Sequence, residues 1–495
     1  MIIRIQNARC YVQANNVESF WLAKLLTVNS DKTDSKGNPI PYSFYKQAEG
    51  WFPTGLLPRV LVDCEHKIEL VDERLKLELP SEPVPIDGFE YRDYQLDGLR
   101  LMLKKKRGTV EVATNGGKSV MIAGILKTIE ETYPDPNTPR ALVLVHRKEI
   151  FQQLDELLSK TLKPQIGRIT TKSSICGNAR VTLAMIKTLI NRIGEYEHVT
   201  EFFEQHQIIL VDEAHHLQAK TWYDLFMNSN APVRIGFSGT IPEDDSFAGA
   251  RVRAATGGRI INVTNQELIG AGHSAKTSVR MLSHDSSSLF PKSFYKAAAA
   301  EYSKEELGGQ SVFTHKGGMK NAAVRGKFFS WYQRKCIAVG MINNTPRTAK
   351  FVSEIRSESS KQHLVIAERL QHGENILTIL KDLGEDAAFV HGDSKDRDEQ
   401  VEKFRKGKLR ILVASTILDE GVDIDRIDVL VLAGCMKSAR AIKQRLGRSL
   451  RKKKHGANVA KVIDIIDKGN KYLEKYSAER MKIWESEGLP VEHVR

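Results

Sequence analysis

From about residue 88 onward, short apolar runs rich in Val, Ile and Leu alternate with stretches whose apolar positions recur at helical spacing. Such runs, apolar on both faces and separated by helices, predict the strands of a parallel sheet covered on both sides. A first series reads 109–112, 141–145, 180–184, 208–211 and 233–237, and a second reads 363–367, 387–390, 410–414, 428–432 and 459–463. Two series predict two doubly wound domains, each gathering ligands at the carboxyl ends of its strands. The rhythm breaks twice. Over roughly 283–334 an Ala run and the Gly- and Lys-bearing text HKGGMKNAAVRGK predict an insertion that carries some helix. Before residue 88, Tyr42, Phe44, Tyr45, Trp51 and Phe52 cluster near Lys46, and the Pro-rich acidic stretch PSEPVPIDG at 80–88 marks a boundary. The expected architecture is α/β: a small α+β domain over 1–87, then parallel-sheet domains over 88–275 and 276–495.

Composition adds one constraint. At 495 residues, 41% hydrophobic and 27% charged, the chain is ordinary for a soluble multidomain protein, which excludes fibrous and disordered classes. A formal charge of +13 is not ordinary, and it suits a polyanionic partner, because each phosphate neutralised by Lys or Arg releases a condensed counterion. Five widely spaced cysteines with no C-x-x-C pair fit neither a disulfide framework nor a zinc site, and the 14 histidines show no metal spacing, so no structural metal is expected. No leader pattern opens the chain and no apolar run approaches the roughly 18 residues of a membrane span. A cytoplasmic protein, with no membrane partner, is the expectation.

The chemistry begins at VATNGGKS, 112–119, where a predicted strand gives way to a helix. Gly116 and Gly117 let the backbone close on phosphate oxygens, with Thr114 and Asn115 in the same loop. Lys118 can reach the β and γ phosphates of a nucleotide, and Ser119 can ligate Mg²⁺. The full phosphate-loop pattern would carry Gly at 112, where this chain has Val. A second signal, ILVDEAHH at 209–216, delivers Asp212 and Glu213 at the end of an apolar strand. Asp212 is placed to hold Mg²⁺ and Glu213 to orient and deprotonate an attacking water. An acidic pair after a strand is otherwise a helix cap, but not when Lys118 stands upstream in the same domain.

With these residues in order, 88–480 resembles the superfamily 2 helicases of the DExH kind, which implies two tandem RecA-like domains, ATP with Mg²⁺ as the fuel and nucleic acid as the track. The resemblance implies that Gln95, supported by Arg92 in Tyr91–Gln95, reads the adenine edge. It implies nucleic-acid contacts at Arg147 in the segment Val145–Gln153, at Thr240 in Ser238-Gly239-Thr240, at Arg397 after His391-Gly392-Asp393, and at Thr416. Gly421, Asp423 and Gln444 would contribute to the nucleotide site, and Arg448 and Arg451, three apart on one helix face, would act as arginine fingers. The arginine-tyrosine-glutamine pattern looks more like the DNA repair branch than the RNA helicases. Within it, the small first domain and the finger helix are similar to the phage UvsW-type recombination helicases, for which the expected partner is forked or four-way DNA in the host cytoplasm. A duplex translocase that leaves strands paired, or an RNA helicase, is the alternative. The 1–87 domain is the expected junction reader. Its aromatics could stack on bases, although in so small a domain they suit a core.

Overall fold

The computed structural model describes the whole chain except 35–36, 134–138, 164–165, 172–173, 176–178, 194–198, 416–426, 435–457 and 495. It divides into two compact bodies, Met1–Thr264 and Asn265–Arg495.

The first body opens with β1 (Ile2–Ile5), β2 (Arg9–Gln13), the hairpin β3 (Thr27–Thr33) and β4 (Pro39–Ser43), β5 (Trp51–Pro53) and β6 (Glu69–Asp72). Four of these form a sheet in the order β5-β2-β1-β6, and β3 pairs only with β4. This region does not keep a private core. Ile3, Leu22, Phe44 and Phe52 belong to one apolar cluster with Leu142, Val211, Phe226 and Ala254 of the α/β part. Polar ties reinforce the joint: Arg107 Nη1 donates to the Asn7 carbonyl at 3.0 Å, and Asn7 Nδ2 donates to the Asn230 carbonyl at 3.0 Å.

The α/β part runs through β7 (Arg107–Val112), β8 (Ala141–Val145), β9 (Ile166–Ile169), β10 (Ser174–Ile175), β11 (Val181–Met185), β12 (Ile208–Asp212), β13 (Val233–Ser238) and β14 (Arg259–Val263). Their order is β10-β9-β11-β8-β12-β13-β7-β14, and every pairing but β10 with β9 is parallel. Residues of β8 and β12 are buried throughout, as a two-sided sheet requires. The consequence for function lies in the adjacency. Strands β8, β12, β13 and β7 stand side by side and point the same way, so the segments after each of them come out at one edge.

The second body holds β15 (Lys276–Asp285), β16 (His363–Ile366), β17 (Ala387–Val390), β18 (Ile411–Ala414), β19 (Val429–Leu432), β20 (Val459–Lys468) and β21 (Val491–Val494), all parallel, in the order β17-β18-β16-β19-β20-β15-β21. Strand β15 is absent from the apolar series because Thr277 and His284 are among its inward residues, which breaks the run. After β15 come the helices Phe294–Glu306 and Ala322–Ile337, packed on each other around Ala299, Tyr302, Val312 and Phe328. Helix Lys471–Ser486 is fastened to the sheet by Arg480, whose Nε lies 2.9 Å from both oxygens of Asp464, and by the Trp484 indole, which donates to Asp464 at 3.0 Å. Both members of that ion pair are fully buried, so removing either would strand a charge.

Candidate active site

Strand β7 ends at Val112, and after a loop of five residues helix Lys118–Thr132 begins, the strand-loop-helix setting a phosphate cradle needs. The loop is bent by two left-handed residues, Asn115 with φ 73° and Gly117 with φ 79°. At Gly117 a side chain is excluded twice over, since a Cβ there would also lie 2.3 Å from Gln95 Nε2. Lys118 points back along the loop, its ammonium donating to the Val112 carbonyl at 3.3 Å. Thr114 and Ser119 stand in the same turn, Ser119 being the second residue of the helix.

The helix Asp93–Lys105 braces this loop from outside. Arg92 donates to the Asn115 carbonyl at 3.0 Å, and the Tyr94 hydroxyl donates to the Gly116 carbonyl at 2.8 Å. Gln95, expected at the adenine edge, has both ends of its amide engaged inside the protein. Its Oε1 accepts from the Arg92 amide at 3.0 Å, and its Nε2 donates to the Gly116 carbonyl at 2.9 Å. In this state Gln95 and Arg92 fix the shape of the phosphate loop.

Asp212 closes β12, and Glu213 follows with φ 53°, a left-handed backbone that a carboxylate residue adopts only where its surroundings enforce it. Asp212 is buried and its Oδ1 has no hydrogen-bond partner among the described residues. Burial, and then the neighbouring Glu213 charge, push its pKa well above the usual carboxylate range, with Lys118 pulling the other way. Burial acts on Glu213 too, but the His215 hydrogen bond and the Lys118 charge outweigh it and keep this carboxyl ionised. A buried, unpaired carboxylate oxygen facing a lysine across a phosphate cradle fits the Mg²⁺ of a nucleotide.

From Glu213 a polar chain leads sideways to β13. Glu213 Oε2 lies 3.2 Å from His215 Nδ1, and that nitrogen is 2.9 Å from the Ser238 hydroxyl. The hydroxyl also lies 3.4 Å from Glu213 Oε2 and 2.9 Å from the Thr240 carbonyl, and it accepts from the Thr240 amide at 3.3 Å. Having one proton, it can donate to only one of these neighbours at a time, so its choice registers the state of Glu213. Thr240, expected at the track, is thus two bonds from the acidic pair, and its own hydroxyl has no hydrogen-bond partner among the described residues.

A second path was not foreseen from the sequence. The His215 ring stands 4.3 Å from His216, which lies 4.4 Å from His146 and 4.9 Å from Trp222. His146 immediately precedes Arg147, the residue that caps helix Lys148–Thr161 after β8. Burial, with Arg147 and Lys187 adding to it, lowers the His146 pKa to about 4, so the stack is neutral at this ring at physiological pH. Only the neighbouring positions of β8 and β12 bring His146 to His216, 70 residues apart by number.

In the second body, Arg397 begins helix Arg397–Arg405, three residues past a turn in which the His391 amide donates to the Ser394 hydroxyl at 2.9 Å. Thr416, Gly421, Asp423, Gln444, Arg448 and Arg451 lie outside the described residues. Among the described residues no three His, Cys, Asp or Glu side chains are grouped to hold a metal ion, and no helix is long and apolar enough to cross a membrane.

Residues 88–243 match the family described as type III restriction enzyme, res subunit, and residues 347–453 match the helicase conserved C-terminal domain. The chain is 26% identical over 414 residues to the DNA 3'-5' translocase XPB2 of Sulfurisphaera tokodaii, covering 82% of this chain and 87% of that one. The type ISP restriction-modification enzyme LlaBIII, solved bound to DNA, shares the fold with a TM-score of 0.56 at 14% identity, over 82% of this chain and 31% of its own. The crystal structure of T4 UvsW aligns with 100% of this chain and 99% of its own, at 16% identity and a TM-score of 0.43.

Proposed function

Because the chain belongs to superfamily 2 of the helicases, the ATP-hydrolysing family its two matched domains indicate, we propose that it is a DNA motor that unwinds or branch-migrates forked and four-way DNA. One observation carries the reading: the continuous bonding from Glu213 through His215 and Ser238 to Thr240. It joins the group that handles the attacking water to a residue read as a strand contact, which is what conversion of hydrolysis into movement requires. A charge of +13 supports a nucleic-acid track, and the similarity to a protein named as a DNA translocase supports DNA.

In this reading Mg²⁺, held by Ser119 and Asp212, supplies charge neutralisation on the phosphates. Lys118 binds the β and γ phosphates, and Glu213, kept ionised by His215, takes the proton of the attacking water. Arg448 and Arg451 neutralise the charge that develops on the γ-phosphate. Arg147, Thr240, Arg397 and Thr416 hold the backbone of one strand, a sequence-independent and salt-sensitive grip.

Glu213→Gln tests the assignment: ATP binds but turnover stalls, so the variant holds a forked DNA more tightly with ATP than without. Equal affinity in both conditions removes Glu213 from the role of base. Strand displacement measured beside triplex displacement separates a helicase from a duplex translocase, and an RNA substrate in the same assay separates both from an RNA helicase.

A further inference from the structure

Below β3 and β4 the first body holds a cavity of about 850 Å³, inside the range of roughly 300–1,000 Å³ typical of ligand sites. It lies within one body, between the amino-terminal region and the helices Lys220–Met227 and Phe247–Thr256. Its walls combine two kinds of group. Tyr42 and Trp51 are half-buried rings, in contrast to Phe44, Tyr45 and Phe52 of the same aromatic cluster, which are buried in the core. Cations are laid against ring faces: Arg9 lies 4.9 Å from the Trp51 centroid, Lys46 4.7 Å from that of Tyr42, and Arg251 4.4 Å from that of Phe247.

The charge of the lining points to an anion. Five cationic residues line the space, Lys32 and Lys220 besides those three, against two carboxylates, Asp31 and Asp224, and Asp224 is already paired with Lys220. Excess positive charge beside half-buried aromatic rings is the combination found in a single-strand site, where bases stack and phosphates are neutralised without regard to sequence. A duplex, whose bases are already stacked, offers nothing to recessed rings.

We propose that this cavity is a second nucleic-acid site, which takes the unpaired arm of a branched DNA by stacking bases on Tyr42 and Trp51 while Arg9, Lys32, Lys46 and Arg251 meet its phosphates. The inference rests on the DNA-motor reading above and gives it a place for the arm that the track does not hold.

The test uses the full chain and a forked DNA whose unpaired arm carries 5-iodouracil. Irradiation is expected to cross-link Tyr42 or Trp51. Lys32→Glu with Lys46→Glu is expected to weaken fork binding about tenfold and to lower the salt slope by about two, one for each phosphate no longer neutralised. Lys32→Arg with Lys46→Arg keeps the charge and restores binding, which separates an effect of charge from an effect on folding. Cross-links confined to other residues, or wild-type fork affinity in the charge-reversed protein, overturn the inference and leave the motor standing. A wild-type chain that no single-stranded DNA binds or stimulates overturns the DNA reading, and the inference with it.

Discussion

The phosphate cluster and the ring-lined cavity occupy the same body and are built on opposite plans. The cluster takes its residues from the ends of neighbouring parallel strands, buries them and engages most of their polar atoms: Gln95 at both ends, Ser238 with three neighbours, Glu213 held in a left-handed backbone. The cavity takes its residues from a hairpin, a short edge strand and two helices, and leaves lysines such as Lys32 exposed. In the proposed reading the difference follows from the tasks. In-line attack on a phosphate needs groups fixed to a fraction of an ångström, which strand ends and interlocked bonds provide. Holding any sequence of bases needs rings and charges that adjust.

Breaking the cluster is expected to have the largest effect. Lys118→Ala removes the cation that faces Asp212 and reaches the phosphates, so ATP hydrolysis should fall by at least about a hundredfold, the loss typical of one preorganised electrostatic group. The cavity shares no residue with this loop, so fork binding without ATP should stay within error of wild type. Steady-state hydrolysis beside fluorescence-anisotropy titrations measures both, and hydrolysis near the wild-type rate would remove Lys118 from the site.

The converse experiment loosens the cavity and spares the cluster. Gly55 sits where the amino-terminal region meets helix Phe247–Thr256, and a Cβ there would lie 2.0 Å from the Arg253 carbonyl oxygen and 2.6 Å from that of Ala254. Both are backbone atoms that cannot swing aside. Gly55→Ala should cost on the order of 1–3 kcal/mol, the usual penalty of overpacking. It should appear as a lower unfolding midpoint together with weaker fork binding, since Arg251 of that helix lines the cavity. An unchanged midpoint would mean that the two parts are not joined there.

These two regions also differ in how far they can be read from the sequence. The strand-loop-helix at 112–119 and the acidic pair at 212–213 are legible because each is a contiguous run whose residue types suit the nucleotide and metal of the proposed reading. The parallel sheets are legible where the strands are apolar on both faces, as in β8 and β12, and hidden where polar residues point inward, as in β15. The cavity is legible only in part: Tyr42, Trp51 and Lys46 stand close together in the sequence, whereas Lys220 and Arg251, which complete its wall, lie some 170 to 200 residues further on. Even its aromatics divide against expectation. Trp51 and Phe52 are adjacent in a strand and therefore face opposite ways, so one lines the cavity and the other fills the core.

Acid sharpens the contrast from another side. Burial lowers to about 4 the pKa of His146, beside the cluster, and of His206, at the opposite end of β12, against about 6.5 in an unfolded chain. Between those values the unfolded state binds protons that the folded state refuses, so stability is full above pH ~6.5 and is lost progressively as the pH falls toward 4. His206→Gln should make that loss shallower in a series of thermal melts from pH 7 to 5, and an identical slope would mean that His206 is not the neutral buried ring described.

The smallest expected effect tests whether the cluster is tight everywhere or only where chemistry demands it. Gly239 lies between Ser238 and Thr240. A Cβ built on it meets Lys118 Nζ at 3.6 Å and Thr114 Oγ1 at 3.7 Å, ordinary van der Waals distances, and its backbone is not left-handed. Gly239→Ala should therefore leave hydrolysis within about twofold of wild type, a change of well under 1 kcal/mol in the barrier. Gly117→Ala is its control, because there the left-handed backbone strains a side chain and the methyl group, 2.3 Å from Gln95 Nε2, would push that amide off the Gly116 carbonyl. If the two alanines prove equally harmful, the Gly239 backbone must move against the phosphate loop during turnover, and the space seen beside it is then needed for that movement.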